Sequence, residues 1–271
     1  MLTNMLDLLN EARLKKHSII QFNINNLEWI KYILTTCEEE NKPVILGVSA
    51  SAAKYMGGYK NVCSMVTNLI DYYNIKIPVS IHLDHGSSFE EVKNAIEAGF
   101  TSVMIDLSDK PLDENIKITK EIVEYAHLRN VLVEGEIGTI KEGINADLND
   151  CIKYVNETKI DSFAPAIGNL HGKYTGEVNL NLDLLDQISK NIRIPLVLHG
   201  ASGIDNDLLS QTIKLGISKI NINTDLQVAW ADGLREKLNS DNEIYDPRKI
   251  INFGEENVKR VIKEKLMIVG K

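Results

Sequence analysis

The chain has 271 residues, of which 44% are hydrophobic and 25% charged. This ordinary globular composition excludes a mainly disordered chain. The formal net charge of −8 argues against a general nucleic-acid surface or an anionic-membrane surface. A membrane span needs about 18 consecutive apolar residues, and no apolar run in this chain approaches that length. The amino-terminal stretch predicts an amphipathic helix rather than a signal peptide. Three cysteines without a C-x-x-C pair predict reduced thiols in a cytoplasmic protein; they are Cys37, Cys63 and Cys151.

Short runs of β-branched and apolar residues recur eight times along the chain. Such runs predict buried strands, and several of them begin after a proline, where a strand tolerates a missing N–H. The predicted strands are 18–23, 44–49, 79–84, 102–107, 131–136, 162–167, 196–199 and 219–223. Amphipathic segments of helical length separate them, at 26–41, 59–74, 88–98, 112–130, 147–158, 181–191, 205–215 and 225–238.

Eight strand-helix alternations predict a parallel sheet that is covered on both faces, and eight strands are the number that closes a barrel. We therefore expect the α/β class and a (β/α)8 TIM barrel. Residues 1–271 are expected to form a single domain, with an extra C-terminal helical segment over 246–271. An open doubly wound sheet is the alternative, but it requires a G-x-G-x-x-G turn after an early strand, which this chain lacks.

In barrels of this kind, functional residues follow the carboxyl ends of the strands. Three histidines each precede a glycine just beyond a predicted strand: His85, His171 and His199. A single histidine in such a place is more often a hydrogen-bonded polar residue, but three imidazoles are a standard shell for a catalytic Zn²⁺. Asp106 and Glu136 end the fourth and fifth strands, where they can orient the imidazoles or hold the metal in an alternative position.

Other barrel chemistries fit the sequence less well. An amidohydrolase-type metal barrel requires an H-x-H pair at the end of the first strand, where this chain has Gln21-Phe22-Asn23. A Schiff-base aldolase requires a desolvated lysine on a central strand near its carboxyl end. The sixth strand has no lysine, and Lys219 is expected at the amino end of the eighth strand in a structural role.

A candidate phosphate site follows the seventh and eighth strands. Gly200 and Gly203 allow close approach of the backbone to a ligand, and Ser202 and Thr224 add hydroxyl donors. In many barrels, backbone N–H groups of these two loops converge on a phosphate. A metal site and a phosphate site in one mouth suit polarisation of a carbonyl, or stabilisation of an enediolate, in a phosphorylated sugar.

The chain resembles the class II, zinc-dependent ketose-bisphosphate aldolases, most closely the fructose-bisphosphate aldolase branch. The resemblance spans nearly the whole chain. It is carried by the stretches QFNINNLEW, PVILGVS, IHLDHGSSFE, AGFTSVMIDLS, FAPAIGNLHGKY, PLVLHGASGI, KININTDLQ and EIYDPRK.

The resemblance implies a role for each residue that matches the family's motifs. Zinc would be held by His85, His171 and His199, with a second or displaced metal position at Asp106 and Glu136, and Asp84 would donate and accept the proton. The phosphate of dihydroxyacetone phosphate, with a monovalent cation nearby, would bind at Gly172, Gly200, Ala201, Ser202, Asn221, Ile222, Asn223 and Thr224. The substrate's other end or second phosphate would contact Asn23, Ser49 and Arg248, the arginine acting across the interface of a homodimer or homotetramer.

One segment departs from the family pattern. After Glu136-Ile137-Gly138, the family has a longer loop with a glycine pair and an acidic pair, whereas here the loop is short and has one acid, Glu142. Glu142 is either the acid that handles the proton at C1 of the three-carbon product or a solvated loop charge. The expected activity is cleavage of fructose 1,6-bisphosphate. The alternatives are an aldolase for tagatose 1,6-bisphosphate or another phosphorylated ketose, and a non-catalytic sugar-phosphate-binding relative.

Overall fold

Eight short strands recur along the chain in a computed structural model, which describes residues 2–140, 144–172, 174, 176, 178–240 and 243–270. Every predicted strand is present, and no end differs from its predicted position by more than two residues. The strands are β1 (Ile19–Asn23), β2 (Val44–Ser49), β3 (Val79–Gly86), β4 (Ser102–Ile105), β5 (Leu132–Ile137), β6 (Ser162–Pro165), β7 (Leu196–Leu198) and β8 (Ile217–Ile222).

Helices fill most of the segments between the strands, as predicted. They are α1 (Leu6–Lys15), α2 (Leu27–Glu39), α3 (Ala50–Tyr55), α4 (Tyr59–Tyr72), α5 (Phe89–Ala98), α6 (Leu112–His127), α7 (Leu148–Thr158), α8 (Leu182–Asn191), α9 (Asn206–Lys214), α10 (Thr224–Ser240), α11 (Pro247–Asn252) and α12 (Glu255–Ile268). None of these helices is long and apolar enough to cross a membrane. The three cysteines lie in α2, α4 and α7 as free thiols.

Two helical segments differ from the prediction. The short helix α3 directly follows β2 and was not predicted; Ser49 caps it by accepting a hydrogen bond from the Ala52 N–H. The C-terminal helical segment expected over 246–271 is present, but it consists of two helices, because the chain breaks between α11 and α12. At this break a Cβ on Gly254 would lie 2.1 Å from Cδ1 of Trp230, so only glycine allows the chain to pass so close to the indole.

The strands form one closed barrel in which each strand pairs in parallel with its neighbours in sequence. β1 pairs with β8 in the same way and closes the ring, with Gln21 opposite Asn221. Outward-facing residues such as Phe22, Leu46 and Val133 are buried in one large apolar cluster with the helices. The prediction of a (β/α)8 barrel is confirmed.

The inward-facing side chains change from apolar to polar along the barrel. At the amino-terminal end, Ile19, Ile45 and Leu132 pack against Met5 and Leu9, so that α1 closes this end. Side chains on a strand alternate between its two faces, so residues two and four positions further on also point inwards. On β1, β2 and β5 these residues are Gln21 and Asn23, Gly47 and Ser49, and Glu134 and Glu136.

Because α1 closes the barrel, substitutions of its buried and exposed leucines should change the free energy of unfolding by different amounts. Leu9 is 1% exposed and Leu14 is 84% exposed. Leu9→Ala removes buried methyl groups and leaves a cavity, so we expect it to lower the free energy of unfolding by about 2–5 kcal/mol. Leu14→Ala is the matched control, with an expected change within about 0.5 kcal/mol. Urea unfolding measures both; equal losses would contradict the role of α1 as a packed plug.

Candidate metal centre and active site

A cavity opens at the carboxyl ends of the strands, where polar residues were predicted to gather. Most of its lining consists of residues that the sequence analysis named: Asn23, Ser49, Asp84, His85, His171, Gly172, His199, Gly200, Ser202, Asn221, Asn223 and Thr224. Ile24 and Asn25 complete the lining among the described residues and were not predicted. The closed barrel thus brings side chains from distant parts of the chain to one mouth.

A β-bulge turns two consecutive residues of β3 toward this cavity. The register between β3 and β4 shifts between Leu83 and Gly86, and His85 has a φ of 56°. In a regular strand neighbouring side chains point to opposite faces, whereas here Asp84 and His85 both line the cavity. A left-handed backbone is unfavourable for a residue other than glycine, and such strain clusters at functional sites.

Three imidazoles meet in the cavity, and their ligand nitrogens all lie within 4.8 Å of one another: His85, His171 and His199. His85 Nδ1 lies 2.8 Å from Asp106 Oδ2, and His199 Nε2 lies 2.8 Å from Glu134 Oε1. Because a carboxylate only accepts hydrogen bonds, these two ring nitrogens carry protons. The remaining nitrogens, His85 Nε2 and His199 Nδ1, are 3.1 Å apart. At this distance, a proton or a metal ion between the two nitrogens satisfies both of them.

The pKa values of the histidines also indicate that the cluster favours a positive charge at His85. Burial lowers the pKa of His85, but the hydrogen bond to Asp106 and the charge of Asp84 outweigh it and raise the pKa to about 9. Burial, with the imidazoles of His199 and His85, lowers the pKa of His171 to about 3. At neutral pH His85 therefore carries a proton on both ring nitrogens and His171 is neutral, and a metal ion binds by replacing the proton on His85 Nε2.

The donor atoms fit a divalent metal. Tetrahedral ligands at about 2.0–2.1 Å from zinc lie about 3.3 Å from one another, close to the 3.1 Å between His85 Nε2 and His199 Nδ1. A second group of possible ligands combines His85 with Asp106 and Glu136. Glu136 Oε2 is buried without a hydrogen-bond partner in the described part of the chain. Burial and the nearby Asp106 charge raise the pKa of Glu136 to about 8.

Asp84 is held beside the histidines as a carboxylate. Its Oδ2 accepts a hydrogen bond of 2.7 Å from Asn23 Nδ2, and its buried Oδ1 has no partner among the described residues. Burial alone would raise the pKa of Asp84, but the neighbouring imidazoles of His85 and His199 hold it well below its usual range. The carboxylate is thus ionised at neutral pH, with one oxygen fixed and one available to a ligand.

The loops after β7 and β8 build a turn next to the histidines. Ser202 Oγ accepts hydrogen bonds of 3.2 Å from the N–H groups of Asn223 and Asp225, at the start of α10. Its hydroxyl hydrogen is therefore free to donate to a ligand. Gly200 has a φ of 62°, and a Cβ there would lie 2.1 Å from the Leu170 carbonyl oxygen. Only glycine fits here, where the loop after β7 approaches the loop after β6. The N-terminus of α10 favours an anion.

Some predicted site residues are not in the described lining of this cavity; among them, Asp106 and Glu136 lie behind His85. Ala201 and Ile222 are buried and do not line it among the described residues. Arg248 is exposed on α11, with its guanidinium hydrogen-bonded to Asp246, and is not part of the described lining. Glu142 lies outside the described residues. The described lining of one chain therefore does not contain the predicted arginine.

Two charged residues below the cavity, Glu134 and Lys219, make contacts that the sequence analysis did not predict. Glu134 is fully buried and contacts His199; it shares a strand face with Glu136, which is the signal that would have found it. Lys219 was expected at the amino end of β8, but the strand begins at Ile217. Lys219 is instead buried inside the barrel, 2.7 Å from Glu134.

A closed parallel barrel with a histidine-rich cation site at the carboxyl ends of its strands defines a metal-dependent barrel enzyme. The family model described as fructose-bisphosphate aldolase class-II matches residues 3–271. The chain belongs to the class II fructose-bisphosphate aldolases. It is therefore a carbon–carbon lyase of a family that uses a metal ion, and its substrate is a small phosphorylated sugar.

Individual relatives agree with this family over nearly the whole chain. The chain is 50% identical to the fructose-bisphosphate aldolase of Geobacillus stearothermophilus, covering 99% of this chain and 97% of the relative. It is 46% identical to that of Staphylococcus epidermidis strain RP62A, with the same coverage. Among solved structures, the YdjI aldolase of Escherichia coli K12 superposes with a TM-score of 0.90 at 32% identity, covering 100% of this chain and 98% of that one.

Proposed function

We propose that this protein catalyses the reversible cleavage of fructose 1,6-bisphosphate to dihydroxyacetone phosphate and glyceraldehyde 3-phosphate. The observation that carries the proposal is the facing pair of imidazole nitrogens, His85 Nε2 and His199 Nδ1, 3.1 Å apart. This pair lies in the same cavity as the Asp84 carboxylate and the turn at Gly200 and Ser202. Family membership and full-length relatives that carry this name support the choice of substrate.

We propose that the metal is zinc, held by His85, His171 and His199, with Asp106 and Glu136 serving a second or displaced position. Three neutral imidazoles with an open fourth position are the usual donor set of catalytic zinc. When bound, zinc acts as a Lewis acid that withdraws electron density from the ketose carbonyl oxygen. The Asp106 carboxylate behind His85 supports this assignment, because its hydrogen bond orients the ring and makes the imidazole a stronger metal ligand.

In the proposed cleavage, Asp84 accepts the proton of the C4 hydroxyl. The C4–O bond becomes a carbonyl as the C3–C4 bond breaks, and the electron pair of that bond passes to the three-carbon fragment. Asn23 holds one carboxylate oxygen of Asp84, so the free oxygen has a fixed direction. We propose that Glu142 returns a proton to the carbon left by the cleavage, which becomes C1 of dihydroxyacetone phosphate.

The phosphate of the three-carbon fragment would bind in three places along the chain: at Gly172, at the turn formed by Gly200, Ala201 and Ser202, and at Asn221, Ile222, Asn223 and Thr224. Buried acceptors support a monovalent cation nearby, because Asn221 Oδ1 and Asn223 Oδ1 lack a partner among the described residues. Asn23 and Ser49 would contact the rest of the substrate. We propose that Arg248 reaches the second phosphate from the neighbouring subunit of a homodimer or homotetramer, which fits its exposure outside its own cavity.

The remaining proposals concern organisation and location. We propose that residues 1–271 form one domain, because one barrel and its helices account for the described elements. Three free thiols in the described chain support a reducing compartment, and we propose the cytoplasm.

The substrate proposal is tested by comparing cleavage of the C4 epimers fructose 1,6-bisphosphate and tagatose 1,6-bisphosphate, with triose phosphate release coupled to an indicator dehydrogenase. We expect kcat/KM for the fructose compound to be larger, by at least about 10-fold, because a single misplaced hydroxyl costs the hydrogen bonds built for it. A preference for the tagatose compound would replace the proposed substrate. Zinc and dihydroxyacetone phosphate binding without cleavage of either sugar would identify a non-catalytic relative.

A further inference from the structure

A buried ion pair, Lys219 and Glu134, lies one layer below the candidate metal site, and neither residue is in the described lining of the cavity. Lys219 Nζ is 2.7 Å from Glu134 Oε2, and the side chains are 1% and 0% exposed. Ser162 Oγ also donates to Glu134 Oε2, at 3.3 Å. A lysine and a carboxylate inside a barrel are costly to desolvate, and apolar residues of similar volume would be at least as stable. Stability alone therefore does not explain this pair.

The pair is connected to the metal site through one atom. Glu134 Oε1 is 2.8 Å from His199 Nε2, while Oε2 is occupied by Lys219 and Ser162. Lysine has only donors, so the oxygen facing it must be an acceptor, and the ionised carboxylate also accepts at Oε1. His199 therefore keeps its proton on Nε2 and presents the lone pair of Nδ1 to His85 Nε2, 3.1 Å away.

Within the part of the chain that the structure describes, Lys219 has no second carboxylate partner. Its other contact in the described residues is His82 Nε2, at 3.4 Å, and His82 Nδ1 is 2.7 Å from Ser102 Oγ. Because Lys219 donates to His82 Nε2, the proton of this imidazole lies on Nδ1 and is donated to Ser102. The direction of each hydrogen bond is thus fixed: Lys219 and His199 both donate to Glu134, one at each carboxylate oxygen.

We propose that Lys219 is a positioning residue for metal binding: by holding Glu134 as an acceptor, it fixes His199 as the Nε2–H tautomer with Nδ1 free for the metal. The proposal rests on the proposed ligand role of His199. Without Lys219, Oε2 keeps only the 3.3 Å hydrogen bond from Ser162, so the carboxylate is held less firmly in the orientation that aims Oε1 at His199. The imidazole is then free to carry its proton on Nδ1, the nitrogen needed by the metal.

The test uses the full-length metal-free protein and zinc titrated against a chelating dye. We expect Lys219→Met to weaken zinc binding about 10–100-fold, the usual effect of losing an outer partner of a ligand. ¹⁵N spectra of labelled histidines in the metal-free state should show His199 as the Nε2–H tautomer in the wild type and as a mixture in the variant. Lys31→Met is the matched control: it breaks the 3.2 Å ion pair with Glu255, away from the site, and should leave zinc affinity and the His199 signal unchanged.

A second variant separates positioning from stability. Lys219→Met/Glu134→Gln contains no unpaired buried charge, so we expect its urea midpoint to return toward that of the wild type, and it is also the fallback if Lys219→Met does not fold. Zinc affinity should remain weak, because an amide neither fixes the tautomer nor strengthens the imidazole as a carboxylate does. Recovery of zinc affinity together with stability would overturn the proposal.

The His199→Ala variant distinguishes failure of this inference from failure of the proposed metal site. Loss of zinc in His199→Ala, with wild-type zinc affinity and tautomer in Lys219→Met, would overturn the role of Lys219 alone. Undiminished zinc binding by His199→Ala would overturn the proposed ligand set and this inference with it.

Discussion

Asp84→Asn is expected to reduce kcat for fructose 1,6-bisphosphate cleavage by about 10²–10⁴-fold, the usual contribution of a positioned general base. The amide is nearly isosteric and still accepts the hydrogen bond from Asn23, which spans 2.7 Å in this structure, but it does not take up the C4 hydroxyl proton. Zinc content should stay at the wild-type level. Coupled kinetics and metal analysis of the same preparation measure both quantities.

Two comparisons make this result specific. Asp71→Asn, an exposed substitution in α4, should leave kcat unchanged. Glu142→Ala should slow proton exchange at C1 of dihydroxyacetone phosphate, whereas Asp84→Asn should leave that exchange largely intact, because the two acids are proposed to handle different protons. Near-normal cleavage by Asp84→Asn would remove Asp84 from the mechanism, and normal exchange by Glu142→Ala would remove Glu142.

Chelation is expected to lower the cleavage rate by about 10²-fold or more, because Lewis-acid stabilisation of developing charge is worth several kcal/mol. Added zinc should restore the rate. Magnesium at the same concentration should not, because three imidazoles suit zinc and not a cation that prefers oxygen ligands. The coupled assay before chelation, after it and after each addition measures the effect.

Borohydride treatment with substrate tests the competing lysine chemistry. We expect no covalent adduct, because Lys219 is paired with Glu134 at 2.7 Å and its amine is not free to attack a carbonyl. A reduced adduct on Lys219 would overturn the metal mechanism. So would undiminished cleavage by protein shown to be free of metal.

Much of this architecture follows from local patterns in the chain. Strand and helix positions are set by the period of apolar residues, by caps such as Ser88, whose Oγ accepts from the Glu91 N–H, and by stops such as Gly99. The repeated strand-helix order leaves few topologies open. The sequence alone therefore assigns the three His-Gly pairs to one mouth of the barrel, since the carboxyl ends of parallel strands lie at the same edge.

Other features depend on contacts between strands that are distant in sequence. Alternation along β3 would have separated Asp84 from His85, and the bulge against β4 brings both into the cavity. The helix break before α12 depends on the close approach of Gly254 to Trp230. Position along the chain also gave no reason to place Lys219 beside Glu134, 85 residues away.

The sequence by itself determined the class of fold, the rim at which the chemistry lies and the kinds of ligand atoms available. Only the tertiary structure decided which nitrogen of each histidine faces the metal position, and that an ion pair lies beneath it. The reason is physical: periodicity, caps and turns act over a few residues, whereas hydrogen-bond direction and desolvation depend on the groups that the closed barrel places in contact.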